Sequence, residues 1–205
     1  MVWDDTFSAT VSGRDEPIEL VGTHLRLTGK ISLGRFGRLS DLINASSGYV
    51  RVHEARLLRR NGEPTSLILP ELMVDQDEIS FIAQSEAPQP EPGAAGGFLE
   101  PRFDATAAVR KAREFVIFTP GHSVTGKVHV FGETDLAGFV DATDPRFVPV
   151  TDATTRSLAD RRIISHYPFI LMNRTQMIAA SEIGRHGDIA PEDIPDIAPE
   201  HTPGP

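Results

Sequence analysis

The sequence predicts a mainly β protein made of two tandem, duplicated, small β-barrel-like domains, each with one short helix, followed by an acidic tail expected to be disordered. Three observations predict it. The stretch LTGKISL at residues 27–33 returns as VTGKVHV at residues 124–130. Both stretches lie in runs that alternate apolar and polar residues, the period of a half-buried strand. Segments rich in Pro, Gly and Glu separate and follow these runs, and such composition buries too little apolar surface to fold.

The repeat extends well beyond seven residues. At an offset of 97, Ile18-Glu19-Leu20-Val21 falls on Phe115-Val116-Ile117-Phe118, and Leu39, Leu42, Ile43 and Asn44 fall on Leu136, Phe139, Val140 and Asp141. One inserted residue near Pro145 moves the offset to 98. Then Tyr49-Val50 falls on Phe147-Val148, Ala55 on Ala153, Pro70 on Pro168, Asp75 on Asn173 and Ile79 on Met177. Two copies are too few for a solenoid, so each is expected to close its own core or to share one with its twin.

The elements follow in order. Residues 1–16 form an N-terminal arm, and residues 17–83 the first copy. In that copy IELVG and LRLTGKISL read as strands, and Gly29 marks a bulge or bend. GRLSDLINA changes period: Leu39, Leu42 and Ile43 have the i, i+3, i+4 spacing of a short helix. YVRVHEARLLRR returns to alternation, and Asn61-Gly62 signals a hairpin. SLILPELMVD and DEISFIA complete five strands. Residues 84–104 are a linker. Residues 105–181 hold the second copy, preceded by a helix expected over DATAAVRKAREF, with Asp104 as N-cap and basic residues at its end. EFVIFT, VTGKVHV with Gly126 at its bend, LAGFVDA, RFVPVTDA, IISHYPFILMN and QMIAASE repeat the order. Residues 182–205 are the acidic tail. Five short bent strands in so few residues suit a small barrel, which removes exposed edges. Sm-like and SH3-like barrels share this scale, an analogy of fold alone.

The segment Gly37 to Asn44, GRLSDLIN, and the Glu54-Ala55 that ends the following strand resemble an uncharacterised family of small bacterial β domains. Members carry a G-R-L-S-D-x-I-N-like segment and then a strand ending in Asp-Ala. The second copy keeps Leu136 and Asp152-Ala153 but has Asp135-Leu136-Ala137-Gly138 in place of R-L-S-D. The resemblance covers both copies and implies this fold; it implies no particular activity.

Charge bounds the partners. The chain has 205 residues and a formal net charge of −9. The N-terminal arm, linker and tail carry −3, −3 and −5, so the two copies together carry +2. The acidity therefore bears on solubility rather than on the folded surface. Cysteine is absent, which excludes disulfides and thiolate metal sites. No basic-then-apolar leader opens the chain and no apolar run is long enough to span a bilayer, so a cytoplasmic location and no membrane contact are expected.

Catalytic signatures are missing. H-E-x-x-H, Walker A, G-x-S-x-G and G-x-G-x-x-G do not occur. The two T-G-K triplets lack the upstream glycine of a phosphate loop and lead into strands, so Lys30 and Lys127 are expected on solvated strand surfaces. The histidines are scattered, and Asp141, Asp144 and Asp152 have the spacing of a polar loop. No catalytic residue, cofactor or metal is expected, and the chain is not expected to be an enzyme.

Partner surfaces remain. Arg56, Arg59 and Arg60 approach one hairpin tip, and Arg161 and Arg162 the equivalent tip. Ile189, Ile194 and Ile197 punctuate the acidic tail like a docking peptide. The sequence thus favours a non-enzymatic assembly or adaptor module with protein partners, self-association included. The alternatives are a nucleic-acid or phosphate binder using the basic tips and a small-molecule sensor with its ligand between the copies. Aromatic platforms for single-stranded nucleic acid are scarce.

Overall fold

A computed structural model describes residues 14–59, 62–84, 110–131 and 134–183. The linker and tail expectations, and with them Arg60, Ile189, Ile194 and Ile197, fall outside those residues. Each half of the described chain runs through the same succession. In the first half the elements are β1 (Asp15–Gly22), β2 (Arg26–Ser32), α1 (Leu39–Ala45), β3 (Tyr49–Leu58), β4 (Pro64–Asp75), a 3-10 turn (Gln76–Glu78) and β5 (Ile79–Gln84). In the second they are β6 (Arg110–Phe118), β7 (His122–Phe131), α2 (Leu136–Asp141), β8 (Phe147–Ser157), β9 (Ile164–Asn173), a 3-10 turn (Arg174–Gln176) and β10 (Ala179–Glu182). The five strands and one helix expected of each half are present.

All ten strands join one antiparallel sheet in the order β10-β6-β7-β8-β9-β5-β1-β2-β3-β4. Among the described residues no pairing closes either half into a barrel. The reason lies in β5, whose two edges are already occupied, by β1 on one side and β9 on the other. The helix expected over DATAAVRKAREF is corrected in its described part, where Arg110–Phe118 is a strand; residues 104–109 lie outside the described residues. The helix preference of its basic residues from Arg110 onward yields to the alternation of Phe115 and Ile117, which places both in the core.

The bend expected at each T-G-K is a β-bulge. The β2–β3 register shifts between Thr28 and Lys30, and the β7–β8 register between Thr125 and Lys127. Opposite each shift stands a non-glycine residue with left-handed backbone, Glu54 and Asp152, both at φ 51°. A Cβ on Gly29 would lie 2.4 Å from Val52 Cγ1 and 2.9 Å from the His53 carbonyl oxygen. On Gly126 it would lie 2.6 Å from Val150 Cγ1 and 3.0 Å from the Thr151 carbonyl oxygen. Glycine is required because the facing strand crosses too closely for any side chain. The lysine after each glycine reaches the left-handed residue: Lys30 Nζ is 2.8 Å from Glu54 and Lys127 Nζ 2.9 Å from Asp152.

Two apolar clusters fill the sheet's concavities, and each borrows from the other half. The first gathers Leu20, Leu27, Ile31, Leu39, Ile43, Val52 and Ile82, with Phe147 and Leu171 from the second half. The second gathers Phe115, Ile117, Val124, Phe139, Val150, Ile170 and Met172, with Val21, Phe81 and Ala83 from the first. Within it Phe115 and Phe139 stack at 5.0 Å. Leu42 and Leu136 pack at the margins of the first and second clusters.

Gly29→Ala and Gly126→Ala are each expected to lower stability by about 1–3 kcal/mol, because the close crossing must open. Lys30→Gln, at an exposed ion pair, should leave the urea midpoint nearly unchanged. Equal midpoints for the glycine variants and the parent chain would refute this account of the bulge.

Candidate interaction site

Among the described residues, side-chain hydrogen bonds concentrate at the seam between the halves. Its backbone frame is the β5–β9 ladder, pairing Phe81 with Met172, Ile82 with Leu171 and Ala83 with Ile170. Three side-chain amides lock it. Asn173, fully buried, donates from Nδ2 to the carbonyls of Gln76 at 2.9 Å and Ile79 at 2.8 Å. Asn44 at the end of α1 donates to the Phe147 carbonyl at 2.9 Å and accepts from the Phe147 N–H at 2.8 Å. Gln176 donates to the Asp77 carbonyl. Arg146 adds an ion pair to Asp77.

A second polar group crosses the seam beside these. Glu19 on β1 pairs with Arg26 on β2 and accepts from the Tyr167 hydroxyl on β9 at 3.0 Å. Phe81 lies between aromatic neighbours, with ring centroids 5.6 Å from His122 and 6.2 Å from Tyr167. Burial, and then the Glu19 carboxylate, push the Tyr167 hydroxyl up to about 12. Burial, and then the Arg26 guanidinium, hold the His122 imidazole below its ordinary value.

The expected basic tips separate into different environments. Arg56 is exposed on β3 and helps line a groove of about 560 Å³ that also touches Glu19, Arg26, Lys30, Glu54 and Gly62. Arg59 is ion-paired with Glu63 at 3.6 Å. In the turn between β8 and β9, Arg161 and Arg162 are exposed, and the Arg162 N–H is bound by Asp160 at 3.0 Å. Asn61 lies outside the described residues, but β3 and β4 pair on either side of it, with Gly62 at φ 84° and its N–H bonded to the Arg59 carbonyl at 2.9 Å.

Asn44 and Asp141 read as helix-end or turn residues, and Asp75 and Asn173 as equivalent positions of the repeat. Their larger meaning lies in a mismatch between the halves: the seam carries an amide where the equivalent outward position carries an acid. That difference was visible in the aligned repeats, but only the seam shows what the amides do.

Among the described residues, no group of three His, Cys, Asp or Glu could hold a metal ion, and no helix is long and apolar enough to cross a membrane. No family model matches the chain, and neither does any curated protein or any solved structure.

Removing the Asn173 amide takes a hydrogen bond from two buried carbonyls, leaving that of Gln76 with the Ile79 N–H alone. Asn173→Ala is therefore expected to cost about 1–3 kcal/mol in chemical unfolding; a loss below that of an ordinary surface substitution would refute the lock. Tyr167 holds its proton more tightly when folded than its usual 10.0. Its contribution to stability is fully present below that pH and is lost as pH rises through about 12. Phenolate absorbance should accordingly show a late ionisation that Tyr167→Phe abolishes. A single early phase in the parent chain would contradict the buried hydroxyl.

Proposed function

We propose that the chain is a non-enzymatic assembly module, composed of two copies of one small β unit, that binds protein through the outer strands of its sheet. The observation that carries this reading is the sheet's termination. Among the described residues β4 pairs with β3 alone and β10 with β6 alone, so the ladder that joins the halves through β5 and β9 stops with hydrogen-bonding edges at both ends. Such edges are templates for another strand. Exposed apolar side chains accompany them: Leu67, Ile68 and Met73 on β4, and Ile178 just before β10. Large exposed apolar groups on edges that soluble proteins usually blunt support contact with a partner.

The supporting argument against catalysis is chemical. The buried Glu16 and the half-buried Glu19, Arg26 and Tyr167 are held by hydrogen bonds to one another or to neighbours, which is the arrangement of a structural network rather than of a nucleophile–base pair. The two basic turns stay as exposed hairpin ends on a nearly neutral body.

A photo-reactive amino acid placed at Leu67 or at Ile178, in the full chain expressed in its source cells, is expected to give covalent protein adducts. The same probe at Arg162 should give far fewer. No adduct from either edge would overturn the reading.

A further inference from the structure

The halves succeed one another along the sheet head to tail, so the contact that joins them has an unused counterpart at each end of the chain. In the seam, the second half offers its β8–β9 face and the first half its α1 and β5 face. The first half's own β3–β4 face and the second half's own α2 and β10 face are the remaining two, and they are complementary by the same geometry.

Exposure identifies them residue by residue. Phe147 and Leu171 are 0% exposed in the seam, whereas Tyr49 and Met73 at the equivalent places are 56% and 46% exposed. On the opposite face, Ile43 and Ser80 are 1% and 0% exposed in the seam, whereas Val140 and Ile178 are 47% and 68% exposed. Half of the large apolar side chains exposed on the described surface therefore stand where the seam buries their counterparts.

The cavity agrees. His122, Leu171, Met172, Asn173 and Gln176 are among the side chains that receive β5 and the 3-10 turn before it. Their equivalents Leu25, Met73, Val74, Asp75 and Glu78 line an open groove of about 230 Å³. The strand equivalent to β5 is β10. It keeps the same register on β6 that β5 keeps on β1, Ile117 with Ala180 as Leu20 with Ile82.

The polar groups change in step. In the seam Asn173 donates to the Gln76 and Ile79 carbonyls and Gln176 to the Asp77 carbonyl; Asp75 and Glu78, which cannot donate, stand at their places on the groove, and Arg174 stands at the place of Gln76. Arg174 rests on the Phe139 ring at 4.5 Å and donates from Nη1 to the Phe139 carbonyl, while its Nε has no hydrogen-bond partner. A contact between copies would thus keep the apolar packing and strand register of the seam and replace its amide-to-carbonyl bonds with the attraction of Arg174 for Asp75 and Glu78.

We propose that the partner is a second copy of this chain, whose β10 adds to β4 as β5 adds to β9 and whose Arg174 faces Asp75 and Glu78. This rests on the assembly reading above and names its partner. The contact is heterologous, so every copy makes it twice, once with each edge; it closes a ring when the rotation per copy divides a full turn and otherwise extends a filament.

Light scattering on the purified full chain is expected to give a mass of several copies. Met73→Asp and Ile178→Asp should each reduce it to a single chain with unchanged far-ultraviolet dichroism, and Leu158→Asp, exposed but away from both faces, should not. The chain has no cysteine, so Met73→Cys with Ala180→Cys provides a second test. The seam register places these two opposite one another between copies, and oxidation should link chains covalently, whereas Leu67→Cys with Ala180→Cys should not. A single-chain mass at every concentration, an assembly indifferent to both edge substitutions, or equal linking by both cysteine pairs overturns the proposal. If the chain stays single while the photo-probes still capture another protein, self-assembly fails and the assembly reading stands. If neither occurs, both fail.

Discussion

The rest of the structure depends on the pairing of β5 with β9. A strand of the first half is inserted between β1 of its own half and β9 of the other, and the side chains on its two faces enter different cores. Ile82 points into the first cluster and Phe81 into the second. Because successive residues of a strand face opposite sides, one short segment fastens both cores at once. Separating the halves would expose Phe147, Leu171 and Phe81 together, and would take the Asn173 hydrogen bonds from the Gln76 and Ile79 carbonyls. The halves are therefore one cooperative body, although their sequences read as two.

The second constraint is local and appears twice. A sheet of this curvature needs a place where one strand crosses another at very short range, and both halves meet the need alike. A glycine removes the side chain, a register shift supplies the bend, and a left-handed Glu54 or Asp152 absorbs the extra residue. Left-handed backbone is unfavourable for a residue with a Cβ. Its carboxylate is held by the lysine across the strand, so the T-G-K triplet is explained as a bulge with its own ion pair rather than as a phosphate loop.

Much of this was legible along the chain. The alternation in IELVG and LRLTGKISL, the helical spacing of Leu39, Leu42 and Ile43, and the Asn-Gly turn depend on neighbours within a few residues, so the sequence carries them directly. The segment before Phe115 did not yield. Ala, Arg and Lys favour a helix in isolation, yet β6 forms there because its edge has β7 and β10 to pair with. Barrel closure failed for the same kind of reason: five strands can close a small barrel, but the last strand of the first half had a competing edge in β9.

By itself, the sequence determined that the protein is mainly β, that its apolar pattern recurs at an offset of 97 and then 98 residues, and where its bends and turns fall, because these are properties of short range and of side-chain period. Only the tertiary structure decided that Asn44, Asn173 and Gln176 are locks while Asp141, Asp75 and Glu78 are surface. An amide and a carboxylate are near equals in a turn and in solvent. They part company only against a buried carbonyl, where one can donate a hydrogen bond and the other cannot.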